Sequence, residues 1–187
     1  MTELEQYVTS YFGILEAEEL AVISSLFKPE ILKKGEYFLM TGKASDRLSF
    51  IETGILRIFL ATENKEVTQW ISTKGYFVTD LSGFIFEKPA RWTIQALTDT
   101  TLFTIKREDY KRIGVLMPKW HELEKLFIAR CFTILEDRIF THLSMTAEER
   151  YDLFFEHRKS LFNEVPLQYI ASMLGMTPET LSRIRKK

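Results

Sequence analysis

The chain has 187 residues, 45% of them apolar and 27% charged, with a formal net charge of −1. Those values suit a folded globular chain and exclude disordered and fibrous classes, and a near-neutral balance argues against a protein that coats nucleic acid indiscriminately. No run of about 18 apolar residues occurs, and Met1-Thr2-Glu3-Leu4-Glu5 is acidic where a signal peptide is basic, so a cytoplasmic location without membrane contact is expected.

From the N-terminus, Leu15, Leu20, Ile23, Leu26 and Phe27 recur at helical spacings, which predicts a helix over residues 1–27 that caps a core. Residues 30–106 change character. Tyr37-Phe38-Leu39, Leu48-Ser49-Phe50-Ile51, Ile55 through Leu60, Val67 through Ile71, Trp92 through Ala96 and Thr101 through Ile105 are short strand-forming runs. Gly35, Gly42, Gly54, Gly75 and Gly83 punctuate them at corners expected to need positive φ. Many short strands at near-regular spacing imply a jelly roll, so the fold class is α+β.

Beyond Ile105 the apolar period is helical. Pro118 suits a helix start, and Trp120, Leu123, Phe127 and Ile134 form a stripe expected to meet a second copy of the chain along a helix reaching Leu143, the alternative being that it packs only on the β-roll. Cys131 lies within it; as a lone cysteine it forms no internal disulfide and is expected to pack as a small apolar residue. Thr146 and Glu149 form a T-x-x-E capping box that opens another helix, Tyr151, Leu153, Phe154 and Phe155 give it a buried face, and residues 158–164 read as a polar connection. The organisation is therefore a β-roll over residues 1–115, a dimerisation helix over 116–145 and a C-terminal unit over 146–187.

That last unit carries the most specific pattern. Ile170, Leu174, Leu181 and Ile184 supply an inward face, Ala171 a close approach, Gly175 a turn, and Thr177-Pro178 an N-cap followed by a first-turn proline. The pattern is that of a helix-turn-helix. Glu179, Ser182 and Arg183 share the outer face of its second helix, where Arg can grip guanine O6 and N7 and Glu can accept from cytosine N4. Thr177 and Thr180 flank them, while Arg185, Lys186 and Lys187 supply cations for phosphates.

The run from Gln168 to Ile184 resembles the helix-turn-helix of the Crp/Fnr family, and a weaker resemblance through Gly35-Glu36, Gly42, Phe50-Ile51-x-x-Gly54 and Gly75 covers most of the chain. The resemblance implies a cyclic-nucleotide-binding-like roll and a homodimeric transcription regulator on a palindromic operator, with RNA polymerase as a further partner. Glu179, Ser182 and Arg183 match the Glu-x-x-Ser-Arg of Fnr-like readers of TTGA-type half-sites, whereas catabolite-activator members carry arginine where Pro178 stands. Family members usually continue into a β wing past the point where Lys187 ends the sequence, so the wing is expected to be absent or truncated.

In the family's roll a Gly-Glu pair, followed by Arg and a small residue, grips a cyclic nucleotide. Here Thr79-Asp80 replaces Gly-Glu, Arg91 falls one position late, and Trp92 stands where a small residue is wanted. By resemblance Asp80, Leu81, Arg91 and Trp92 are the candidate effector residues, with cyclic AMP disfavoured relative to another small molecule or to a roll that only supports dimerisation. No resident cofactor is expected. His121, His142 and His157 are scattered without metal-ligand spacing, and residues 30–106 contain no histidine, which argues against a metal-dependent jelly-roll enzyme. A sensor module without a DNA role is the alternative reading.

Overall fold

A computed structural model describes residues 1–13 and 15–186. The N-terminal segment forms two helices rather than one, α1 (Glu3–Phe12) and α2 (Ala17–Leu26). A reciprocal cap between Thr2 and Glu5 opens α1, and Gly13, at φ 102°, ends it, so Leu15 lies in the connection.

Among the described residues eight strands follow: β1 (Lys28–Leu32), β2 (Tyr37–Leu39), β3 (Arg47–Thr53), β4 (Leu56–Ala61), β5 (Glu66–Ser72), β6 (Phe77–Val78), β7 (Thr93–Ala96) and β8 (Thr100–Lys106). They make two antiparallel four-stranded sheets, ordered β1-β8-β3-β6 and β2-β7-β4-β5. A short helix, α3 (Leu81–Phe86), separates β6 from β7. Two strands escape the sequence reading, β1 and β6, and both lie at sheet edges. Pro29 sits in β1, where an edge strand tolerates the missing N–H.

Gly35, Gly42, Gly54 and Gly75 have the expected positive φ, but Gly83 does not. It lies inside α3, and its need is space: a Cβ there would stand 2.8 Å from that of Ser45.

After the roll come α4 (Arg107–Leu116) and a long helix, α5 (Trp120–Ser144), which at 25 residues spans about 38 Å. The last elements are α6 (Ala147–Arg158), α7 (Leu161–Glu164), α8 (Leu167–Met173) and α9 (Pro178–Ile184). The expected box of Thr146 and Glu149 caps α6. Residues 158–164 are not merely a polar connection: α7 buries Leu161 and Phe162 against Tyr151, Phe154 and Phe155.

Among the described residues three apolar clusters hold the chain together. One fills the roll with Phe38, Ile51, Leu56, Ile58, Ile94 and Leu102. A second joins the N-terminal helices to the roll and to the start of α5, where Phe12 stacks on Trp120 at 4.4 Å and on Phe127 at 4.7 Å between ring centroids. The third unites α6 to α9 with Ile55 and Ile71 of the roll.

The second cluster corrects the expected dimer stripe. Trp120 and Phe127 are only 2% and 1% exposed, covered by α1 of their own chain, so neither is left for a partner to cover, and Leu123 is half-buried against the same cluster. Of the four expected positions only Ile134 is exposed. A different row on α5 faces solvent: Ile128, Phe132, Leu135, Ile139 and Leu143.

Candidate nucleic-acid interface and the loop between β6 and β7

In the C-terminal unit, Ile170, Ala171 and Leu181 are buried between α8 and α9, with Leu174 beside them, and Gly175, at φ 69°, makes the turn. Thr177 caps α9 by accepting from the Thr180 N–H at 3.2 Å, and Pro178 takes the first helical position, where its missing N–H is no loss. Arg150, on α6, donates to the Leu174 carbonyl at 2.9 Å and to Met145 at 2.6 Å, satisfying carbonyls that helix ends leave open.

With Leu181 inward, Glu179, Ser182 and Arg183 face outward and are exposed. Thr177 is exposed as well, and Thr180 is half-buried under a 3.5 Å contact from the Arg183 guanidinium. A hydrogen bond from its own backbone N–H, one from Thr177 and the nearby Arg183 keep the Glu179 carboxyl below the usual carboxylate range, so it stays an acceptor at neutral pH. Arg185 is exposed but turned toward α7, with its guanidinium 5.7 Å from the centre of the Phe162 ring, and Lys186 is exposed. Lys187 lies outside the described residues.

The unit is docked on the roll by a group that sequence reading missed. Arg57, on the outer face of β4 and 2% exposed, donates to Thr68 at 2.9 Å and to Glu66 at 2.6 Å. Its guanidinium lies 3.6 Å from the centre of the Tyr169 ring of α8 and 4.1 Å from that of Phe59. The Thr68 N–H adds a 2.9 Å bond to the Ser172 hydroxyl. An arginine amid Ile55-Leu56-Arg57-Ile58-Phe59 was the available signal, since a strand alternates faces and this one meets a core on both.

The four candidate effector residues cluster around α3, but not as an open site. Asp80 caps α3 and is buried, Leu81 begins the helix, and the exposed Arg91 side chain lies over the ring of the half-buried Trp92 at 4.9 Å.

Residues 29–114 match the family described as the cyclic nucleotide-binding domain. No curated protein matches the chain. Among solved structures, FixK2 from Bradyrhizobium japonicum is 18% identical at a TM-score of 0.71, the likeness covering 86% of this chain and 83% of that one. The catabolite activator protein of Thermus thermophilus is 21% identical at a TM-score of 0.59, covering 94% and 84%. The cAMP-bound PfPKA-R fragment is 22% identical at a TM-score of 0.55 over 59% of this chain, which spans 40% of that one. At such identities the likeness is one of fold: an α+β architecture of the cyclic nucleotide-binding kind.

The backbone donors beside α3 are already taken by Asp80, and Trp92, Tyr76 and Trp70 pack against the roll's interior cluster. Among the described residues no helix is long and apolar enough to cross a membrane.

Proposed function

We propose that the chain is a homodimeric, sequence-specific DNA-binding regulator of Crp/Fnr type. The observation that carries this reading is the outward face of α9, where Glu179, Ser182 and Arg183 stand exposed on a helix anchored by the fully buried Leu181. Such a helix can enter a major groove, with its base-reading groups on one side and Arg185 and Lys186 near the backbone phosphates. The exposed row Ile128, Phe132, Leu135, Ile139 and Leu143 recurs every three or four residues over roughly 22 Å of α5, the pattern of a helix that pairs with its own copy. A dimer so joined presents two α9 helices to successive grooves about 34 Å apart, which requires a palindromic operator.

Selection of bound sequences from a random DNA pool tests the reading: an inverted repeat should be enriched. Arg183→Ala should then lose preference for that repeat by about 1–3 kcal/mol per half-site while retaining salt-dependent affinity for any duplex. Failure to enrich any sequence would favour a module that senses without touching DNA.

A further inference from the structure

Asp80 is 2% exposed, and its carboxyl accepts three backbone N–H groups drawn from two separate segments. Oδ1 accepts from Gly83 in α3 at 2.9 Å, while Oδ2 accepts from Arg91 at 2.6 Å and Trp92 at 3.1 Å, just before β7. Convergent backbone N–H groups are a nest for an anion. Here the chain supplies the anion itself.

The surroundings lock this arrangement. The buried Ser45 donates to the Asp80 carbonyl at 3.2 Å, and Arg107 donates to the carbonyls of Ser45 and Gly83. The Thr79 hydroxyl donates to the Arg47 carbonyl at 2.9 Å, and Glu87 closes the far end of α3 with ion pairs to Arg107 and Lys111. The cation nearest in sequence, Arg91, is turned onto the Trp92 ring and pairs with no carboxylate among the described residues.

We propose that Asp80 is a built-in anion that occupies this nest of backbone N–H groups, closing it to the phosphate of a cyclic nucleotide and fixing the loop between β6 and β7 without an effector. A ligand phosphate entering this nest would have to displace a carboxylate that satisfies three buried donors, and the two negative groups cannot share them. The nest therefore acts as a specificity element, refusing the ligand class that the fold is built to hold. This inference does not depend on whether α9 reads DNA.

Isothermal titration of the full chain with cyclic AMP and cyclic GMP to millimolar concentration should give no saturable heat; one-to-one binding of either would overturn the proposal. The complementary experiment empties the nest. Asp80→Ala should melt at lower temperature than the parent, and millimolar acetate or inorganic phosphate should recover part of that loss while leaving the parent unchanged. An equal response of both proteins to the anions, which is a general salt effect, would count against an anion nest. Asp80→Asn, which keeps one carbonyl acceptor in place, serves if the alanine variant does not fold: it should be destabilised and respond to the anions no more than the parent does, and a larger response than the parent's would overturn the assignment.

Discussion

Arg57 shows what a single side chain contributes that composition hides. A guanidinium in an apolar strand is costly to bury unless its hydrogen bonds are met, and Glu66, Thr68 and the faces of Phe59 and Tyr169 meet them. Cys131 behaves as its isolation in the sequence suggests: partial burial raises its thiol to about 11 from an ordinary 9.0. Because the thiolate is the reactive form, alkylation by iodoacetamide at pH 8 should run roughly a hundredfold slower than for a free thiol and should keep climbing with pH until it levels off near 11. The raised value also means that the folded state holds this proton more tightly than the unfolded chain. Its stabilising contribution is complete below about pH 9 and is lost as pH rises toward 11. A rate that levels off near pH 9 would show the thiol to be unburied.

At the scale of elements, α5 does two jobs along one axis. Its first turns belong to the core of the N-terminal helices, through Trp120 and Phe127 against Phe12, while its later turns expose an apolar row that none of the described residues covers. The turn between α8 and α9 depends on Gly175 for a different reason. At φ 69° any side chain is strained, and a Cβ there would stand 3.3 Å from the His142 ring. Gly175→Ala should therefore cost about 1–2 kcal/mol in urea denaturation, and a loss within error of zero would mean that the turn relaxes freely.

For the whole molecule, the third apolar cluster joins the C-terminal helices to the roll through Ile55 and Ile71, so α9 is carried on a platform continuous with β4 and β5. Pairing of two copies through the later turns of α5 would then set the spacing of their α9 helices. Phe132 and Ile139 are 59% and 51% exposed in the single chain, so Phe132→Glu or Ile139→Glu should preserve the fold yet convert dimers to monomers in sedimentation. Phe127→Glu, by contrast, places a charge in a core position and should unfold the N-terminal half. A Phe132→Glu protein that still sediments as a dimer would move the seam off α5.

Local chemistry was legible from the residues alone. Six of the eight strands, the capping box at Thr146, the Thr177-Pro178 start of α9 and the inward set around Leu181 follow from alternation, helical spacing and the hydrogen-bonding habits of Thr and Pro, all of which act over a few residues. Edge strands such as β1 and β6 were not legible, because their pairing comes from a neighbour distant in sequence. The partner of an apolar stripe was not legible either. Trp120 and Phe127 have the spacing of a dimer seam, yet α1 reaches them first, and periodicity records that a face must be covered without recording what covers it. The same holds for Asp80, whose residue type suggests a ligand contact but whose carboxyl is consumed by N–H groups brought from eleven and twelve positions away by the folding of the loop.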